Sequence, residues 1–480
     1  MNLLIIYNLI IINIIIIIKS ESLIKIPFEF FLFSSENSLM NNLYYSQIKT
    51  TIKLGSKNQI FNATISFHSE NFYIFGEEIK EKNPEFFPLF NRNSSESFEI
   101  SSSLMNNFFE VYKKSYQSKD KIEFDNLILN KFKFIYALEF NNDFNKKKIP
   151  TCAFGLQKFS EGGIRDFSIV NQLKKENLIE KSTFSFDFEE KKIMKEKGKI
   201  SFGFDFYSNE NILKINCGKN VPKKNKINWS FNFDSVKFGE KKLIYSNDAI
   251  IYTEIGLIKA PSEFSDLIQK EFESNFNEKC ELLELNNSTD SYKKKFYYSC
   301  DKKINVNKIK TLKFYLKKID FYFVFEGKDL FYEFEGKKIF MIVLTKAASS
   351  YWIFGREFLK KYKLFFDEDR KIIGILNENN KNNKNKENEN KNNENNNENN
   401  NNKINENNEN EILIKNKNFF NIFIIFLFII IIIIIIIIIL TKTKKTKKFI
   451  PKLKNENDFS LELKNEYSTD ESIEYKQINN

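Results

Sequence analysis

From residue 23 to about residue 376 the chain is built of short apolar and aromatic runs separated by polar breaks. Ile200-Ser201-Phe202-Gly203-Phe204 and Phe321-Tyr322-Phe323-Val324-Phe325 show the pattern clearly. Such runs, rich in β-branched and aromatic side chains, predict many short strands. Only 169–177 and 262–276 space their apolar residues as helices do. The expected class is mainly β, and the length exceeds one small sandwich, so two lobes are expected.

Outside this region the pattern changes twice. Residues 3–18 are apolar apart from Tyr7, Asn8 and Asn13, and stop at Lys19 with small residues at Ser20 and Ser22. This predicts a signal peptide over 1–22; because no Lys or Arg precedes the run, an uncleaved anchor is the alternative. Residues 419–440 are almost unbroken Ile and Phe, enough to cross a hydrocarbon core, and predict a transmembrane helix. Lys442, Lys444, Lys445, Lys447 and Lys448 follow it while only Lys415 and Lys417 precede it closely, which predicts a cytosolic C-terminus. Between them, 377–418 is Asn, Lys and Glu with few apolar side chains, a solvated linker. The tail 441–480 carries Tyr475-Lys476-Gln477-Ile478, similar to tyrosine-based sorting signals. The expectation is a single-pass protein with its bulk extracellular or in the lumen of a secretory or lysosomal compartment.

The net charge of +11 comes from lysines interspersed with glutamates and from the linker and tail, so no nucleic-acid partner is expected. Four cysteines, Cys152, Cys217, Cys280 and Cys300, permit two disulfides in any of three pairings. Asn62, Asn93, Asn228, Asn286 and Asn287 begin glycosylation sequons, all between the two apolar runs.

One segment is specific. Tyr351-Trp352-Ile353-Phe354-Gly355-Arg356-Glu357-Phe358-Leu359, then Phe366-Asp367 and Ile373-Gly374, resembles the Trp-Ile-Leu-Gly-Asp-x-Phe-Leu, Val-Phe-Asp and Ile-Gly series that closes pepsin-like aspartic proteases. Tyr44-Tyr45-Ser46-Gln47-Ile48 is similar to the family's first strand, and Leu54-Gly55-Ser56 with Gln59-Ile60-Phe61 to the hairpin after it. Phe154-Gly155-Leu156, the helix before Phe184-Ser185-Phe186, and Gly198 to Asp205 also resemble family segments in the family's order. The resemblance implies a bilobal pepsin-like fold with lobes at 41–205 and 206–376, a disulfide between Cys280 and Cys300, a cleft that takes extended peptide or protein, and no metal or cofactor.

Aspartic proteases place two carboxylates face to face, sharing one proton, each in an Asp-Thr/Ser-Gly turn. Registering on Phe61, Asn71, Phe72 and Tyr73 puts Ser66-Phe67-His68 on the first turn; Ala249-Ile250-Ile251 puts Tyr252-Thr253-Glu254 on the second. A hydroxyl and a phenol stand where the aspartates belong, and both glycines are replaced. No aspartate precedes Asp120, so no register supplies one to the first loop, and Asp248 precedes the apolar strand that should lead into the second. Tyr112-Lys113-Lys114-Ser115 stands where the family has its flap, without the flap glycines. The cleft and flap candidates are Tyr112, Phe67, His68, Thr253 and Glu254.

Two other residue pairs could in principle substitute for the aspartates. Glu70 and Glu254 lie near the loops but at unequal offsets, which breaks the symmetry a shared water needs. Ser66 and His68, two apart, share a strand face but lack an identifiable third group or oxyanion donors. The expectation is a membrane-anchored, catalytically inactive homologue that binds peptide or protein. The alternatives are an active aspartic-type endopeptidase and a structural surface glycoprotein.

Overall fold

The structure is a computed structural model; it describes residues 23–377 except 32–38, 80–87, 103, 107–111, 141–149, 159–164, 192–194, 219–227, 277–278, 286–293 and 347. The apolar runs, linker and tail lie outside the described residues, as do Asn286 and Asn287. Among the described residues no helix is long and apolar enough to cross a membrane.

The protein is mainly β. Among the described residues the strands form sheets of 14, nine and four strands. The predicted helices appear as Ile169–Lys175 and Ser262–Phe276. Leu39–Tyr45 and Arg356–Lys361 are helices the apolar pattern did not announce. Tyr44 and Tyr45 therefore end a helix, and the strand expected to start with them runs Gln47–Leu54.

The largest sheet draws on both halves of the sequence. Thr183–Glu190 pairs with Lys197–Phe202 and also with Leu364–Asp367 near the end of the folded region. Ile24–Phe31, ahead of the recognised motifs, pairs with both Lys197–Phe202 and Gln47–Leu54. The 205/206 boundary thus falls between strands of one sheet, which ties the halves together.

The core is aromatic. Phe184 stacks on Phe366 at 4.9 Å, and Phe354 on Phe358 at 4.1 Å. Rings meeting edge to face or in offset stacks add to the gain from burial alone. Phe67 of the first loop lies within this core, and Tyr252 of the second packs against it.

Of the cysteines, Cys280 and Cys300 face each other across paired strands and are bonded. Cys152 and Cys217, candidates for a second bridge, are instead free and buried. Cys217 Sγ is satisfied locally, near Asn228 O at 3.4 Å and Ser230 Oγ at 3.7 Å. Burial pushes the Cys152 thiol well above its ordinary range, so it stays protonated.

Candidate active site

The two loops leave equivalent strands, and the backbone fixes their correspondence. Gln59–Ser66 runs parallel to Cys152–Gly155, with Ser66 opposite Gly155. Asp248–Ile251 runs parallel to Tyr351–Phe354, with Ile251 opposite Phe354, so the next residue, Tyr252, comes level with Gly355. Each glycine is required by close approach: a Cβ on Gly155 would lie 2.4 Å from Asn71 O, and one on Gly355 2.2 Å from Leu257 O. Asn71 and Leu257 each lie five residues beyond Ser66 and Tyr252 respectively. Ser66 and Tyr252 therefore occupy matching positions, and no aspartate stands at either.

The loops are held together by Thr253, which is fully buried. Its hydroxyl donates to Ile65 O at 2.8 Å and accepts from Phe67 N at 3.2 Å, joining one loop's side chain to the other's backbone. Glu254 makes a second link. Its Oε1 accepts the Ser66 hydroxyl and the His68 backbone N–H, the latter at 2.9 Å. The same N–H reaches Ser66 Oγ at 3.0 Å. A carboxylate from one turn has swung across to satisfy the hydroxyl and amide of the other.

Burial, rather than a second acid, governs this carboxylate. It pushes Glu254 above the usual carboxylate range, while the Ser66 hydroxyl and the backbone donors pull the other way. Two carboxylates sharing a proton raise one another through like charge; like charge is not what raises Glu254. Tyr252 is pushed up by burial first and then by the charge of Glu254, so its phenol stays protonated. Its ring meets that of His68 edge-on at 5.9 Å, and its backbone N–H donates to Phe354 O at 2.9 Å.

Other candidates fall elsewhere. Phe67, expected in the cleft, turns inward: it is fully buried and packs on Phe184, Phe186 and Phe366, the last at 5.2 Å. Tyr112, expected at the tip of a flap, opens the strand Tyr112–Phe124 and is buried against Tyr73. The turn of that hairpin is Asp125-Asn126, where Asp125 adopts φ +50°. Lys113 and Lys114 are drawn onto Glu139 at 3.2 and 2.9 Å. Asp120 is buried and bonded to Ser97 and to the Lys121 backbone. Asp248 opens its strand and accepts from Asn232. Asn62 and Asn93 are exposed, whereas Asn228 is half-buried and accepts from Gln157 at 2.7 Å. Among the described residues no group of His, Cys, Asp and Glu could hold a metal.

Sequence reasoning missed Arg356. This fully buried guanidinium donates to Ser46 O at 2.7 Å and Thr253 O at 2.9 Å, and also to Ser46 Oγ. The charges of Glu196, Glu357 and Glu254 act on it, and buried Lys360 pairs with Glu196 and Glu357. Two signals were readable: arginine is rare here, four residues against 70 lysines, and it replaces the aspartate of an otherwise matching motif.

Paired strand-borne loops joined by a buried threonine across two like halves define the acid-protease type of centre. A family model described as eukaryotic aspartyl protease matches residues 45–377, and the chain belongs to that family. No curated protein matches it.

Proposed function

We propose that this protein is a membrane-anchored member of its family that does not cleave peptides and whose interlobe cleft binds an extended peptide or protein segment. Inactivity rests on one observation: the matching positions carry Ser66 and Tyr252, and Glu254 is committed to Ser66 and His68. One desolvated carboxylate without a partner acid cannot serve as base and acid by turns. Family membership alone would favour an aspartic endopeptidase, but the missing pair argues against it.

Binding needs no aspartates, because an extended peptide is held mainly by backbone hydrogen bonds. Lys113 and Lys114, which would obstruct a groove if they reached across it, are engaged with Glu139 instead. Anchoring rests on the apolar run at 419–440, with the folded region on the non-cytosolic side.

The full-length protein, immobilised and exposed to a library of extended peptides, is expected to retain a subset and return it intact; failure to retain any contradicts the binding reading. Protease added to intact cells is expected to leave only the helix and tail. Protection of the folded region contradicts a cell-surface location.

A further inference from the structure

The four-stranded sheet buries one face and turns the other to solvent. Lys241–Leu243, Ser235–Phe238, Leu312–Leu316 and Phe321–Phe325 are neighbours in that order. Leu243, Val236, Phe314 and Phe323 lie opposite one another and are fully buried. One residue along each strand the side chains point to the other face. There Lys242 lies opposite Lys237, and Lys237 opposite Lys313. All three lysines are exposed. Like charges directly opposite one another destabilise a sheet. Elsewhere this protein sets lysines against glutamates: Lys53 faces Glu123 at 2.5 Å, and Lys119 faces Glu99 at 2.7 Å. Among the described residues Lys237, Lys242 and Lys313 make no ion pair. The acids at the margin are engaged elsewhere: Asp234 accepts from Lys317 N at 2.7 Å, Asp320 accepts the Tyr315 hydroxyl at 3.1 Å, and Glu240 stands beside Lys241 at the turn.

Apolar side chains border the row. On the same face Tyr315 lies opposite exposed Tyr322, and their rings stack at 4.3 Å. Ile244 and Tyr245 follow the strand that carries Lys242 and are 67% and 76% exposed. They are held out rather than loose. The Glu263 carboxylate, in the first turn of the helix Ser262–Phe276, accepts from Ile244 N at 2.6 Å, from Tyr245 N at 3.0 Å and from the Ser246 hydroxyl at 2.8 Å.

We infer that this face docks on a phospholipid surface carrying anionic headgroups, with Lys237, Lys242 and Lys313 at the lipid phosphates and Ile244 and Tyr245 at headgroup level. The inference rests on the anchoring part of the proposed function. Two observations favour a bilayer over a soluble polyanion. A bilayer interface takes up aromatic and apolar side chains set among lysines, whereas a polyanion gives an exposed isoleucine nothing. The chain also brings its own bilayer: about 40 residues, which reach at most about 140 Å, join the folded region to the apolar run at 419–440. Tethering at that range raises the effective concentration of the surface, so a contact of three lysines and a small apolar tip suffices.

The test uses the full-length protein carrying Y245W, reconstituted into vesicles of phosphatidylcholine and phosphatidylserine whose acyl chains are brominated or not. The two natural tryptophans, Trp229 and Trp352, are fully buried, so quenching by bromine beyond that of the natural protein reports the added ring at the bilayer. Clear excess quenching is expected, and it is expected to fall as salt is raised. With K237Q/K242Q/K313Q added, docking is expected to weaken roughly a hundredfold, about fivefold for each lysine, and the excess quenching to be lost. Glutamine removes the repulsion along the row, so the melting temperature is expected to be no lower; this separates loss of the face from loss of the fold. Protein that stays with the vesicles through an alkaline wash but shows no excess quenching, or quenching that the glutamine variant retains, overturns the inference and leaves the anchoring standing. Release by the wash contradicts the anchoring and the inference together. If quenching is absent and a soluble sulfated polysaccharide raises the melting temperature of the protein but not of the glutamine variant, the face holds a polyanion and the lipid assignment is overturned.

Discussion

Replacing Arg356 by methionine is expected to destabilise the folded region by about 3–5 kcal/mol, the usual cost of removing one partner from a buried charge network. The guanidinium touches both halves of the site: its donors end on Ser46, at the entry to the strand Gln47–Leu54, and on Thr253, which joins the loops. Methionine fills much of the space but leaves the Ser46 and Thr253 carbonyls without that donor, and it removes a positive charge that Glu196, Glu254 and Glu357 all feel. Against a typical domain stability of about 5–15 kcal/mol this is a large fraction. R356K keeps the charge but not the planar fork that reaches two carbonyls together, so it is expected to recover only part of the loss. Chemical denaturation of the three proteins checks the order natural, R356K, R356M. A fully stable R356M contradicts the role assigned to this residue.

The second large effect is on pH dependence and centres on Glu254. Its folded-state pKa lies above the ordinary value of 4.5, with burial the main cause. The folded protein therefore holds this proton more tightly than the unfolded chain does. The contribution of Glu254 to stability is fully present below the ordinary carboxylate pKa and declines as pH rises from there through the raised folded value, at up to about 1.4 kcal/mol per pH unit. Glu357, raised for the same first cause, adds a decline of the same sign. E254Q removes one titration while keeping an oxygen for the Ser66 hydroxyl and the His68 N–H, and its amide can donate to Thr253 Oγ1, where Oε2 now lies at 3.3 Å. Melting temperatures measured from acid to neutral pH are expected to fall less steeply for E254Q than for the natural protein, and E254Q is expected to be the more stable at neutral pH. Parallel curves contradict the assignment.

Much of the fold was legible in the sequence, for physical reasons. A period of two in side-chain direction announces strands, as at Phe321–Phe325. Glycines such as Gly155 and Gly355 mark where chains pass too closely for a Cβ. Ser66 ends its strand, and Tyr252 follows its own, level with those two glycines. The helix Leu39–Tyr45 was not legible, because seven residues are too few to show a helical period. Nor was the direction of Phe67: a residue after a strand end can turn to either side, and an aromatic core drew it inward. The swing of Glu254 onto Ser66 was hidden because it joins residues 188 apart in sequence, and local spacing carries no information about such a contact.

In the function proposed above, this centre has lost its catalyst as a unit, carboxylates and turn glycines together. The most direct test is incubation of the purified full-length protein with a broad library of extended peptides from acid to neutral pH, with and without pepstatin, read by mass spectrometry for new termini. Every peptide is expected to be recovered uncut under all conditions. Cleavage that pepstatin abolishes would show that two acids still meet at this site and would contradict it.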